Sequence, residues 1–95
     1  MDEQYMDMRV AKDSDVKALA GAIAIALRGT AEQKPKKVRL SACGANALNQ
    51  SVKAVAIARG YVAQNGFDLV MRPGFKDGEI NGESRSILQL FVSLV

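Results

Sequence analysis

The apolar positions of the chain switch between the period of a strand and the period of a helix. From Tyr5 to Ala11 apolar residues alternate with polar ones, which predicts a half-buried strand. From Val16 to Leu27 apolar residues recur every three or four positions, as on one face of a helix. Asp13-Ser14-Asp15 before this run supplies a cap and an acidic first turn, and Gly29 can end the helix.

The rest of the chain repeats this order once and then ends in two strands. After an exposed connection from Gly29 to Lys37, the patterns predict a strand over 37–42, a helix over about 45–64, a strand over 66–72, a long glycine-rich hairpin arm over 73–83 and a strand over 84–94. The order β-α-β-α-β-β predicts a two-layer α/β sandwich, because two strand-helix-strand units are followed by a strand pair that needs no helix. We expect a four-stranded mixed sheet with both helices on one face.

The second helix is apolar around roughly two thirds of its circumference, and such a helix buries two sides. One stripe contains Leu48, Val52 and Val55 and can cover the sheet. The second stripe has few partners in so short a chain, so it predicts a homodimer to which the nearby sheet edge contributes. The predicted interface residues are Ala54, Ile57, Ala58, Tyr61 and Phe91. Alternatively, the first helix covers the second stripe.

Length and composition exclude much of catalytic chemistry. The 95 residues predict one domain over 1–95, with a flexible N-terminus at 1–4. Histidine is absent and Cys43 is the single cysteine, so an imidazole base, a His/Cys metal site and a disulfide framework have no parts. Asp13 or Asp15 near Lys12 gives no acid-base pair at a recognisable spacing. We therefore expect a non-enzymatic protein without cofactor or metal.

The positive charge is concentrated in the middle of the chain. The net charge is only +3, yet residues 31–63 hold six basic residues and one acidic residue. A local basic field of this kind attracts an anionic partner even when the whole protein is nearly neutral. The alternative is that the lysines between Lys34 and Lys37 belong to a solvated loop.

The N-terminal segment does not have the pattern of a secretory signal. Acidic residues such as Asp2 and Glu3 precede the first apolar run, where a signal has positive charge. The run from Val16 to Leu27 is about half the ~20 residues that a membrane span requires. We expect a cytoplasmic protein without a membrane partner, associated with the nucleoid if DNA is its ligand.

The junction between the second strand and the second helix is a possible phosphate site. A helix N-terminus exposes unpaired N–H groups, and Gly44 permits close approach of a ligand to the backbone. Asn46, Asn49 and Gln50 add uncharged donors, and Lys12 leaves the other strand-to-helix turn at the same end of the sheet. Alternatively, Gly44 only forms the turn and the amides face water.

The residues of this junction and helix resemble a known family. Ala-Leu-Asn-Gln-x-Val-Lys-Ala-Val-Ala-Ile-Ala-Arg over 47–59, with 16–23 before it and 67–70 after it, is similar to the bacterial stage V sporulation protein S family. That family is similar in turn to the archaeal chromatin protein Alba. The resemblance covers about residues 6–93 and implies an Alba-like fold, a dimer, and nucleic-acid binding through the two strand-helix turns and the hairpin arms.

Site residues follow from this resemblance by position, together with the basic polar face of the second helix. The implied nucleic-acid-binding residues are Lys12, Gly44, Asn46, Asn49, Gln50, Lys53, Arg72, Lys76 and Arg85. The resemblance implies low-specificity binding of DNA or RNA backbone by a homodimer, with a role in sporulation or developmental regulation. Few aromatic residues are present, so we expect base stacking to contribute little, with Phe75 on the arm as the exception.

One departure favours a second function. Alba has a basic side chain near the second turn, where this chain has Ala45 and Asn46, so a phosphate contact there is weaker. The alternative is a dimeric protein-interaction or regulatory module that does not bind nucleic acid.

Overall fold

The computed structural model describes residues 4–95, which contain the expected order of elements. These are β1 (Tyr5–Val10), α1 (Val16–Arg28), β2 (Lys37–Ala42), α2 (Ala45–Ala63), β3 (Leu69–Ile80) and β4 (Glu83–Leu94). Of the N-terminus predicted to be flexible, residues 1–3 lie outside the described part. Within residues 4–95, no helix combines the length and the apolar character needed to cross a bilayer.

The four strands form one mixed sheet in the order β1-β2-β4-β3. β1 and β2 are parallel, which α1 between them makes possible, since parallel neighbours need a long crossover. β4 pairs antiparallel with both β2 and β3. α1 and α2 pack against each other over one face of the sheet, so the predicted two-layer α/β fold is confirmed.

The core lies between the helix layer and the sheet. Its largest fully buried apolar side chains come from both layers and are Ile23, Val38, Leu40, Val62, Leu90 and Val92. The strand residues of this set are paired across the antiparallel ladder, Val38 with Val92 and Leu40 with Leu90. The buried hydroxyl of Ser51 donates to the carbonyl oxygen of Ala47 at 2.9 Å, so this polar group is satisfied inside the core.

The second apolar stripe of α2 is largely covered within the chain. Ala54 and Ala58 are fully buried in the core, so they have no surface to offer a partner. Ile57 is half-buried against the same core, whereas Tyr61 is 37% exposed. Phe91 lies on the face of the sheet that the helices leave uncovered. The five residues predicted as a dimer interface therefore do not form one continuous surface.

The hairpin arm is a regular two-stranded ribbon rather than an irregular loop. Beyond the pair of Ala42 with Leu88, β3 and β4 pair only with each other, and we call residues 76–87 the arm. Its tip is Asn81-Gly82, with φ of 54° and 80°, the conformation of a type I′ turn. The strand predicted over 66–72 ended too early, because β3 continues to Ile80. Pro73 does not interrupt β3 because β3 is an edge strand.

Two isoleucines of α1 test the position of the core. Ile23 is fully buried and Ile25 is 51% exposed on the same helix. We expect Ile23→Ala to lower the free energy of unfolding by about 2–5 kcal/mol, because it leaves a cavity in the core. Ile25→Ala is the control and should cost less than about 1 kcal/mol. Urea denaturation followed by circular dichroism measures both, and equal losses would contradict this placement of α1.

Candidate nucleic-acid interface

The two strand-helix turns lie side by side at one edge of the sheet. The parallel register pairs Val10 at the end of β1 with Ala42 at the end of β2, so the chain leaves both strands at the same edge. The Gln50 side chain joins the two turns, because its Nε2 donates to the carbonyl oxygen of Ser14 at 3.0 Å. Gln50 is half-buried and is therefore a structural link between the turns as well as a possible ligand contact.

The N-termini of α1 and α2 differ in what occupies their amides. Asp15 caps α1 as predicted, and its Oδ1 accepts from the N–H groups of Lys17 and Ala18 at 3.0 and 3.1 Å. Its carboxylate takes the place an anion would need. At α2 the N-cap is Gly44, which has no side chain to bond the first turn. An anion can therefore approach the amides of α2 but not those of α1.

A cleft of about 320 Å³ lies between the turns and the arm. We call it the edge cleft, and its lining residues are Arg9, Val10, Ala11, Lys12, Ser41, Cys43, Ile80 and Ile87. Its two charged groups, Arg9 and Lys12, are both cations, are both exposed, and form no ion pair with any residue in the described range. The cleft is thus a basic site with apolar walls and no carboxylate.

The predicted site residues divide between three surfaces. Lys12, Gly44 and Gln50 lie at the two turns, and Asn46 is exposed at the start of α2. Asn49 and Lys53 are exposed further along α2. The last three, Arg72, Lys76 and Arg85, are exposed residues of β3 and β4. Arg72 is opposite Phe91 in the body of the sheet and therefore lies outside the arm.

The sheet surface that faces away from the helices was not predicted as a site from the sequence. We call this surface the open face, and the alternation of the strands gives it Tyr5, Asp7, Arg9, Lys37, Arg39, Ser41, Val70, Arg72, Gly74, Lys76, Ile87, Gln89, Phe91 and Ser93. Arg9 belongs both to this face and to the edge cleft. The sequence contained the information for this surface, because the residues that alternate with the buried positions of each strand must face the other side of the sheet.

A paired arginine and an aromatic contact occupy the middle of the open face. Arg39 holds Asp7 through two hydrogen bonds, of which the Nη2 to Oδ2 bond is 2.9 Å. Hydrogen bonding from the Arg39 side chain is the main cause that keeps the pKa of Asp7 below its usual value of 3.8. Tyr5 and Phe91 meet edge to face with ring centroids 5.8 Å apart. The guanidinium of Arg39 lies 5.3 Å from the centroid of the Tyr5 ring.

The described residues offer little for metal chemistry. Within residues 4–95, no three His, Cys, Asp or Glu side chains come close enough to hold a metal ion. Cys43 is a free, half-buried cysteine in the wall of the edge cleft. What these surfaces present is cations, backbone amides and aromatic rings, which are groups that bind anions and bases.

One comparison with known proteins bears on this arrangement. A family model described as stage V sporulation protein S matches residues 6–95. The match therefore includes both turns, both helices, the arm and the open face except for Tyr5.

Two glycines in open space test the backbone of the second turn. Gly44 has φ 93° and ψ 160°, a conformation that other residues rarely adopt, and Gly21 lies within α1. A Cβ would meet no atom within 4 Å at either position. We expect Gly44→Ala to lower the free energy of unfolding by about 1–3 kcal/mol through backbone strain alone. Gly21→Ala should raise it by about 0.5–1 kcal/mol. Equal effects in chemical denaturation would contradict the strained turn.

Proposed function

The chain belongs to the stage V sporulation protein S family, and from this membership and its surfaces we propose a sporulation-related, non-enzymatic protein that binds nucleic acid as a homodimer. It acts in the cytoplasm, and at the nucleoid if DNA is the ligand. Binding follows the sugar-phosphate backbone and reads little sequence. The rival proposal is a dimeric interaction module of the same family that does not contact nucleic acid.

The edge cleft is the observation that supports this proposal most directly. The parallel pairing of β1 and β2 brings the two turns together, and Ile80 and Ile87 of the arm form the opposite wall. Arg9 and Lys12 are the charged residues of the cleft lining, which contains no carboxylate, and no side chain caps the amides at Gly44. Phosphate oxygens accept from both kinds of donor, and such contacts position a nucleic acid without specifying bases.

The exposed side of α2 supports the dimer part of the proposal. A shallow cleft of about 410 Å³ lies there, lined by Ala56, Arg59, Gly60, Ala63, Phe67 and Asp68. Small residues along a helix let another helix approach closely, and Phe67, 44% exposed, supplies apolar area beside them. A two-fold pair of chains through this surface presents two edge clefts and two arms. This arrangement doubles the phosphate contacts of one binding unit.

Removing one cation from the edge cleft should change the salt dependence of binding. Affinity falls as salt rises, and each phosphate contact makes the slope of log K against log salt steeper by about one. We expect micromolar binding of duplex DNA or RNA that weakens with salt, and Lys12→Ala should make this slope shallower by about one. Lys34→Ala is the matched control, because Lys34 is an exposed lysine of the α1–β2 connection, away from the edge cleft. Fluorescence anisotropy with labelled duplex across a salt series measures all three proteins.

Two results of that series would refute the nucleic-acid proposal. One is no binding at micromolar protein, and the other is affinity that does not change with salt. A protein partner that stays bound after nuclease treatment and high salt would then support the interaction module instead.

A charge on the exposed side of α2 should disrupt the dimer. Ala56 lines the shallow cleft of α2, and Ala22 is an exposed alanine on α1. We expect Ala56→Glu to give a monomer, because two like charges meet across a two-fold axis. Ala22→Glu introduces the same charge and should leave the dimer intact. Light scattering after size exclusion gives the mass. A monomeric parent protein, or a dimer that survives Ala56→Glu, would refute this interface.

A further inference from the structure

The aromatic pair of the open face is built into the sheet surface. The Phe91 ring lies over Gly74 on the neighbouring strand, since a Cβ at Gly74 would come within 3.2 Å of the ring atom Cε2. The absence of a side chain there lets the ring rest against the strand. Tyr5 contacts the same ring edge to face at 5.8 Å, so the two aromatic side chains form one half-buried patch.

Positive charge surrounds this aromatic patch. The open face carries five basic side chains and one acidic side chain, Arg9, Lys37, Arg39, Arg72 and Lys76 with Asp7. The charge of this face is therefore higher than the +3 of the whole chain. Asp7 pairs with Arg39, whereas the other four cations form no ion pair with any residue of 4–95. The Lys37 Nζ lies 5.8 Å from the centroid of the Tyr5 ring.

The combination of rings and unpaired cations determines which partner fits. A single-stranded nucleic acid supplies phosphates for the cations and exposed base faces for the rings. A duplex hides its base faces in its own stack, and an acidic peptide leaves the rings unused. A second copy of the chain would place five cations against five, and such like-charge contacts are unfavourable.

We propose that the open face is a stacking platform for single-stranded nucleic acid, with Tyr5 and Phe91 contacting bases and the surrounding cations contacting phosphates. This proposal rests on the proposed function and extends it to a second surface. The open face and the edge cleft share Arg9, which is four residues from Tyr5 on β1, about 13 Å along the strand. A single strand can therefore run from the cleft onto the rings along β1, past Asp7, which Arg39 holds in an ion pair.

The small number of aromatic residues permits a direct optical test. The chain has no Trp and two Tyr, so Tyr61→Phe leaves Tyr5 as the single tyrosine. Saturation of this variant with an unlabelled oligothymidylate or oligouridylate should quench the Tyr5 fluorescence, because a base stacks on the ring. A blunt duplex of the same length should bind at the turns and leave the fluorescence unchanged. Quenching that is equal for both, or absent while the single strand binds, overturns the platform.

Substitution of the rings tests their contribution to affinity. Tyr5→Leu with Phe91→Leu keeps an apolar patch but removes the stacking surfaces, and should weaken binding of the single strand about tenfold. Tyr61→Leu removes an exposed aromatic ring of α2, outside the open face and outside the lining of the shallow cleft, and should not change this affinity. Duplex affinity should remain unchanged in both. Unchanged single-strand affinity in the double variant overturns the proposal.

A charge substitution keeps the test valid if the double Leu variant is unstable. Asp7 and Glu32 are both exposed carboxylates, but only Asp7 lies on the open face, and Glu32 belongs to the α1–β2 connection. Asp7→Asn should tighten single-strand binding about threefold to tenfold and steepen the salt slope. Glu32→Gln removes the same charge and should do neither. Equal effects of the two substitutions overturn the proposal.

The outcomes separate this proposal from the proposed function. Absence of binding to both single strand and duplex refutes the proposed function and with it the platform. Duplex binding without Tyr5 quenching by the single strand refutes the platform alone. A change of oligomeric state in the double Leu variant, measured by light scattering, assigns the open face to a second copy and also refutes the platform.

Discussion

The parallel pairing of β1 with β2 is the constraint on which the rest of the structure depends. Each of these strands is followed by a helix, so parallel pairing brings both strand-helix turns to one edge and both helices to one face. The same arrangement leaves the other face uncovered by the described residues. Both proposed binding surfaces, the edge cleft and the open face, therefore follow from one feature of topology rather than from separate local motifs.

In each strand, side chains alternate between the two faces of the sheet, and this alternation separates the charged residues from the core. In β2 the even-numbered residues Val38 and Leu40 are buried, while the alternating residues Lys37 and Arg39 face away from the helices. The Arg39 side chain is only 16% exposed, and its pairing with Asp7 orients the guanidinium and balances its charge. The same pairing lowers the pKa of the Asp7 carboxyl. The negative charge of Asp7 reduces the positive field of its own surface.

Sequence patterns were sufficient for the layers of the fold but not for its surfaces. The first four elements were predicted to within a residue or two, because alternation and helical spacing are local properties. The arm was predicted as a glycine-rich hairpin over 73–83 with the preceding strand ending at residue 72, whereas β3 continues to Ile80 and turns at Asn81-Gly82, a strong signal of a tight hairpin.

Surfaces depend on which element covers which, and that information is not local. The second apolar stripe of α2 could be covered by α1 or by another chain, and only the structure shows that Ala54 and Ala58 lie inside the core of one chain. In the same way, Tyr5 and Phe91 are far apart in sequence and lie on different strands, so their contact depends on the order of the strands in the sheet. Lys12 and Gly44 were predicted together because the ends of two parallel strands meet at one edge, which is a general rule. Pro73 has a further consequence for how copies of the chain can meet. It lies in edge strand β3, where a residue without an N–H leaves a gap in the row of outward donors that another strand would use. Intermolecular extension of the sheet across β3 is disfavoured by this gap, which protects an otherwise long exposed edge from aggregation through strand addition.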